Sequence, residues 1–104
     1  MSYESALEAL ADPTRRRILG LLRDGPRPVG EIAARLPVSR PAVSRHLRVM
    51  TEASLVRHQP RGTRHLYEVD PRGLTAVREW LDAWWDEPLD RFAAHAEESS
   101  HDDV

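Results

Sequence analysis

Three times in this chain a capping side chain is followed within two residues by proline: Asp12-Pro13, Ser39-Arg40-Pro41 and Asp70-Pro71. Asp and Ser accept hydrogen bonds from the free N–H groups of a first helical turn, and proline fits that turn because its missing N–H would be unpaired there. Each pair therefore starts a helix afresh. The 104 residues are cut into short segments that must pack around one modest core, in a single domain too small for a deep two-lobed active site. No apolar run approaches the ~20 residues that a membrane-spanning helix needs.

Hydrophobic spacing fills in the segments. Residues 2–11 place Tyr3, Ala6, Leu7 and Leu10 on one helical stripe. The second helix runs from Asp12-Pro13 to the neighbourhood of Arg23 with Ile18, Leu19 and Leu22 inward, and Asp24-Gly25-Pro26 ends it. A third covers Pro28 to Leu36 with Val29, Ile32, Ala33 and Leu36 inward, and Leu36-Pro37-Val38 is a tight turn. Ser39 caps a fourth helix that reaches Glu52. Val43, Leu47 and Met50 form its inward face, and Arg40, Ser44, Arg45 and Arg48 its outward face. The period then changes to that of strands at Leu55–Gln59 and Arg64–Val69, with Pro60-Arg61-Gly62-Thr63 as the hairpin turn. A last helix starts at Asp70-Pro71 with Leu74, Val77, Leu81, Trp84, Trp85, Leu89 and Phe92 as its apolar stripe, and Pro88 should kink or divide it. The expected class is mainly α with a β-hairpin, in the order α-α-α-α-β-β-α. One domain spans residues 1–98, and residues 99–104 form a frayed tail.

Charge is distributed unevenly along this order. The formal net charge of -2 alone argues against a nucleic-acid partner. Residues 14–72, however, hold thirteen Arg against five acids, whereas residues 1–13 hold three acids and residues 73–104 nine acids against two Arg. A basic middle between two acidic ends is a local electrostatic footprint. Every basic residue is Arg and none is Lys, and the planar guanidinium grips a phosphate or a guanine edge with two parallel hydrogen bonds.

Two short helices joined by a three-residue turn, the second capped by Ser and carrying Arg outward, fit a helix-turn-helix. The first braces the second through Val29, Ile32 and Leu36, so that the second can enter a major groove about 12 Å wide. The hairpin that follows carries Arg57, Arg61, Arg64 and His65, as a wing reaching adjacent phosphates or the minor groove would.

With these stretches the chain resembles ArsR-type (ArsR/SmtB family) winged-helix transcriptional regulators over nearly its full length. The resemblance lies in Ala9–Leu22, Val29–Ala33, Val38–Leu47, Glu52–Arg57 and Gly62–Tyr67, most specifically in the Ser39-to-Leu47 block. It implies a cytoplasmic, sequence-specific DNA-binding regulator, a homodimer paired through its first and last helices that binds an imperfect palindrome. It also implies a repressor, often of its own gene and relieved by an effector. Carried onto these positions, Ser39, Arg40, Ser44 and Arg45 would read bases, while Arg48, Arg61 and Arg64 would hold the backbone. The dimer interface would use Tyr3, Leu7, Leu10, Leu81, Trp84, Trp85 and Phe92. Two positions depart from the pattern: Ser54 stands where the family commonly has Gly, and Arg40 where Gln is frequent.

Metal sensing, common in such regulators, is not expected here. The third helix reads Glu31-Ile-Ala-Ala-Arg-Leu36 without a soft ligand, and the chain has no Cys, which also excludes disulfides and Cys nucleophiles. Asp82-x-Trp84 followed by His95-x-x-Glu98 imitates a last-helix ligand set, but Trp cannot ligate and the register is wrong by about a dozen residues. No cofactor is expected, and no residues form a catalytic constellation: Ser44 and His46 point in different directions on their helix. His46 is expected to pack at the helix edge, and His58 and His65 to be solvated wing residues. The cluster Trp80, Trp84, Trp85 has two readings, a dimer interface or an aromatic pocket between subunits for a small apolar effector with Phe92 as a wall. A contrasting overall reading is a protein-interaction module built on the acidic, Trp-rich last helix. The outward Arg face of residues 40–48 favours DNA.

Overall fold

A computed structural model of the chain describes residues 2–85 and 91–96. The elements are α1 (Tyr3–Leu10), α2 (Pro13–Leu21), β1 (Arg27–Pro28), α3 (Val29–Ala34), α4 (Arg40–Glu52), β2 (Val56–Arg61), β3 (Arg64–Val69) and α5 (Pro71–Trp85). Residues 91–96 are helical as well. Pro88, Leu89 and the 99–104 tail lie outside the described residues.

Every helix start read from a cap is made by that cap. Asp12 Oδ1 accepts from the amides of Thr14 (2.8 Å) and Arg15 (3.2 Å), Ser39 Oγ from Ala42 (3.2 Å), and Asp70 Oδ1 from Arg72 (3.0 Å). α4 occupies the predicted span, with Val43, Leu47 and Met50 fully buried. They join Ala6, Ala9, Ile18, Leu22, Ile32, Ala53, Leu55 and Val56 in one core, which the half-buried Leu10, Leu19, Val29, Leu36, Val69 and Leu74 surround.

α3 is shorter than the Pro28-to-Leu36 reading, so the turn before α4 covers residues 35–39 and not only Leu36-Pro37-Val38, and two features of the sheet also differ from the sequence reading. Arg27–Pro28 is a strand, pairing antiparallel with β3 so that Arg27 faces Tyr67, and the sheet has three strands in the order β1-β3-β2. The hairpin turn is also shorter than expected. β2 continues through Pro60 and Arg61, and only Gly62-Thr63 link the strands, with Gly62 at φ 63°. Proline is tolerated in β2 because β2 is an edge strand with a single neighbour.

A tight corner joins α4 to the hairpin and to α5. Ser54, at φ 58°, is the one non-glycine residue with positive φ among the described residues. The left-handed turn lets the Ser54 carbonyl accept from the Gly73 amide (2.9 Å), while the Leu55 carbonyl accepts from Asp70 (2.9 Å). A side chain in that conformation costs about 1 kcal/mol, so Ser54→Gly should stabilise the fold by about 0.5–1 kcal/mol, read as a higher urea midpoint with unchanged m-value.

Asp70 sits beneath this corner at 1% exposure. Its carboxylate takes Nε and Nη2 of Arg72 at 3.1 and 2.8 Å, and this hydrogen bonding, outweighing the cost of burial, holds it below the ordinary value of 3.8. Asp12 is held below 3.8 as well, chiefly by the Arg15 amide. A lowered folded value means that the unfolded chain binds protons first. The stability from both carboxylates is therefore complete above about pH 5, clear of the unfolded value, and is lost as pH falls through their lowered values. Urea midpoints measured from pH 5 downward should fall, and Asp70→Asn should make that decline shallower.

Candidate nucleic-acid interface

α3, the turn at residues 35–39 and α4 form the helix-turn-helix. Ile32 is buried against the inward face of α4, and the Ser39 cap fixes where α4 begins. The opposite face of α4 presents Arg40, Ser44, Arg45 and Arg48, all exposed. Ser39 is exposed too, with its hydroxyl engaged by the Ala42 amide. The Arg40 guanidinium lies back over α3, where a Cβ on Gly30 would stand 3.7 Å from Nη1.

At the wing tip Arg61 and Arg64 are direct cross-strand partners, both exposed. Like charges placed opposite each other on a hairpin repel. Arg57, counted above as a wing cation, belongs elsewhere in the arrangement: its Nε donates to Glu68 Oε1 at 2.8 Å, which neutralises it. His58 and His65 are exposed as expected but touch each other. Their rings stack at 4.8 Å, with Nε2 of His58 2.7 Å from Nδ1 of His65.

Ion pairing separates the arginines of the helix-turn-helix and wing from several others. Arg27 and Arg35 meet Glu31, Arg57 meets Glu68, Arg72 meets Asp70 and Arg78 meets Asp82. Arg40, Arg45, Arg48, Arg61 and Arg64 make no ion pair among the described residues. Those five are the cations that the sequence placed toward a duplex.

His46 packs at the edge of α4, as its position predicted. It is half-buried, with Nδ1 3.5 Å from Nη1 of Arg15, whose Nε donates to the Ala9 carbonyl at 2.6 Å. Arg15 thereby links α1 and α2 to the recognition helix. The His46 spacing, one residue before buried Leu47, was the available signal.

On α5 the Trp cluster divides. Trp80 is half-buried and stacks on Tyr3 at 5.3 Å and 13°, while Trp84 meets Trp80 edge-on at 6.1 Å. Leu81, Trp84, Trp85 and Phe92 stay 42–69% exposed, an unusual amount of large apolar surface for a small chain. Tyr3, Leu7 and Leu10 are half-buried on α1. No group of three or more His, Asp or Glu is gathered to hold a metal among the described residues, and no described helix is long and apolar enough to cross a membrane.

Comparison with known proteins agrees with this geometry. Residues 10–59 match the family model of a helix-turn-helix domain. The chain is 52% identical to the HTH-type transcriptional regulator Rv2034 of Mycobacterium tuberculosis, over 88% of this chain and 86% of that protein. It is 31% identical to the transcriptional repressor SdpR of Bacillus subtilis, over 74% of this chain and 86% of that one. Among solved structures it superposes with a TM-score of 0.63 and 29% identity, over 81% of each chain, on the homodimeric winged helix-turn-helix DNA-binding domain of Mycobacterium bovis Mb0332, a possible ArsR-family regulator. The chain belongs to the ArsR-type family of winged helix-turn-helix proteins, DNA-binding transcriptional regulators rather than enzymes.

Proposed function

We propose that this regulator works as a homodimeric repressor that occludes a promoter carrying an imperfect palindrome, including that of its own gene. The observation that carries the reading is the gathering, on one helix face and one wing tip, of exposed arginines that make no ion pair among the described residues, Arg40, Arg45 and Arg48 on α4 and Arg61 and Arg64 on the hairpin. Phosphates would satisfy all five, and would remove the repulsion between Arg61 and Arg64. Ser39, Arg40, Ser44 and Arg45 read base edges in the major groove, and Arg48, Arg61 and Arg64 anchor the sugar-phosphate backbone. Pairing through α1 and α5, with Tyr3, Leu7, Leu10, Leu81, Trp84, Trp85 and Phe92 at the interface, would cover the exposed aromatic surface of α5. It would set the two recognition helices about 34 Å apart, one turn of the duplex. The SdpR likeness supports the repressor role, and the homodimeric neighbour supports the pairing.

Fluorescence anisotropy over a salt series tests the reading, with a ~30-base-pair duplex from the protein's own upstream region against a scrambled one. A preference of ~10³-fold or more with a steep salt slope is the expected outcome. Equal affinity for both duplexes would place the operator elsewhere and end the autoregulatory part. Absence of binding to either at low salt would overturn the reading and favour a protein partner at the Trp84–Trp85 face.

A further inference from the structure

A second site lies away from the basic face. A groove of about 590 Å³ opens between α2, the end of β3 and the start of α5. Leu10, Leu19, Val69 and Leu74 form its walls, with Gly20 and the two cations Arg16 and Arg23 completing the lining. We propose that this groove binds an amphiphilic carboxylate, an aliphatic chain ending in one anionic group.

Three observations converge on that class of ligand. The first is Gly20. A glycine inside a helix costs about 1 kcal/mol relative to alanine, and close packing is the usual reason for keeping one. Here a Cβ would meet nothing within 4 Å, so no neighbour demands the glycine. What its missing side chain does is leave the groove open.

The second is the character of the walls. All four are aliphatic, with no ring to stack on a flat aromatic ligand and no polar group to orient one. The volume falls within the roughly 300–1,000 Å³ of sites for small molecules. Such walls suit a flexible hydrocarbon chain, which gains by burial alone.

The third is charge. Arg16 and Gly20 lie one turn apart on α2, and Arg23, in the turn just past the end of that helix, lines the same groove. Arg16 is held at one end, its Nη1 donating to the carbonyls of Leu10 (2.8 Å) and Ala11 (3.1 Å). Arg23 is exposed at the other end and has no acidic partner among the described residues. No carboxylate lines the groove. A carboxylate at Arg23 would make the charge-assisted pair that this guanidinium lacks, with the chain lying across Gly20 toward Leu74.

The site shares Leu10 with the proposed pairing surface but does not depend on the operator, and it is tested without DNA. Calorimetric titration of the full chain with decanoate, below its micelle concentration, is compared with decanol. Decanoate should bind once per chain, and decanol about tenfold or more weakly because it lacks the charge. Arg23→Gln, a surface change, should weaken decanoate to the level of decanol and leave decanol itself unchanged. Gly20→Leu should abolish binding of both while keeping the helical circular dichroism spectrum and the gel-filtration volume. The proposal fails if decanoate does not bind, if decanol binds equally well, or if Arg23→Gln leaves decanoate affinity unchanged. It fails also if Gly20→Leu folds and still binds, which would move the ligand to another surface such as the Trp face. A change of oligomeric state in that variant would mark the groove as a contact between copies of the chain and overturn the proposal too.

Discussion

Gly73→Ala will lower the melting temperature by about 10–20 °C, an effect of about 3 kcal/mol expected from overpacking against backbone in a domain of this size. The added methyl would stand 2.6 Å from the Ser54 carbonyl oxygen and 2.8 Å from that of Ala53. Both oxygens belong to the backbone at the end of α4, so no side chain can rotate away. Relief requires α5 to slide, which would lengthen the Gly73–Ser54 hydrogen bond of 2.9 Å and disturb buried Asp70, which immediately precedes α5. Thermal unfolding followed by circular dichroism measures the effect. A loss below about 3 °C would mean that α5 tolerates a different seat on the corner. Ser54→Gly in the Gly73→Ala background should not rescue it, because the clashing atoms are carbonyls that Ser54→Gly leaves in place.

Arg45→Ala should cost about 1–3 kcal/mol on the cognate operator, a loss of roughly 5–150-fold, and much less on a scrambled duplex. Its side chain stands exposed on the outward face of α4 and makes no ion pair among the described residues, so truncation should leave the fold intact. Arg61→Ala at the wing tip should behave differently. It should weaken all duplexes alike and reduce the salt slope by about one unit, the signature of a lost phosphate contact. Anisotropy with both duplexes over a salt series separates the two. If Arg45→Ala weakened both duplexes equally, the division between base-reading helix and backbone-holding wing would be wrong.

Helix starts were legible in the sequence because a cap and a proline act within one turn; Asp12, Ser39 and Asp70 all do locally what their residue types allow. The outward face of α4 was legible for a related reason: a helix of known start converts residue spacing directly into direction. What depended on long-range pairing was not. β1 is two residues long and half proline, and only its partner Tyr67, forty positions on, makes it a strand. The hairpin register shows the same limit. A four-residue turn at 60–63 would place Arg57 opposite Leu66, whereas the two-residue turn places it opposite Glu68, so the loss of Arg57 from the cationic set followed from the turn length. The metal-free expectation rested on ligand types and register, which local sequence does display. Tyr3 stacking on Trp80 joins α1 to α5, and no spacing rule reaches that far.

The free cations of the recognition helix and wing are guanidinium groups throughout. An ammonium can be silenced by acylation of its nitrogen, whereas a guanidinium keeps its charge across the physiological pH range and offers no such handle. The attraction of this surface for a polyanion is therefore permanently on, dimmed by ionic strength alone. In the proposed repressor, release from a promoter would then have to be mechanical: something would turn or separate the two reading heads until they no longer fit successive grooves, while each kept its full affinity for phosphate.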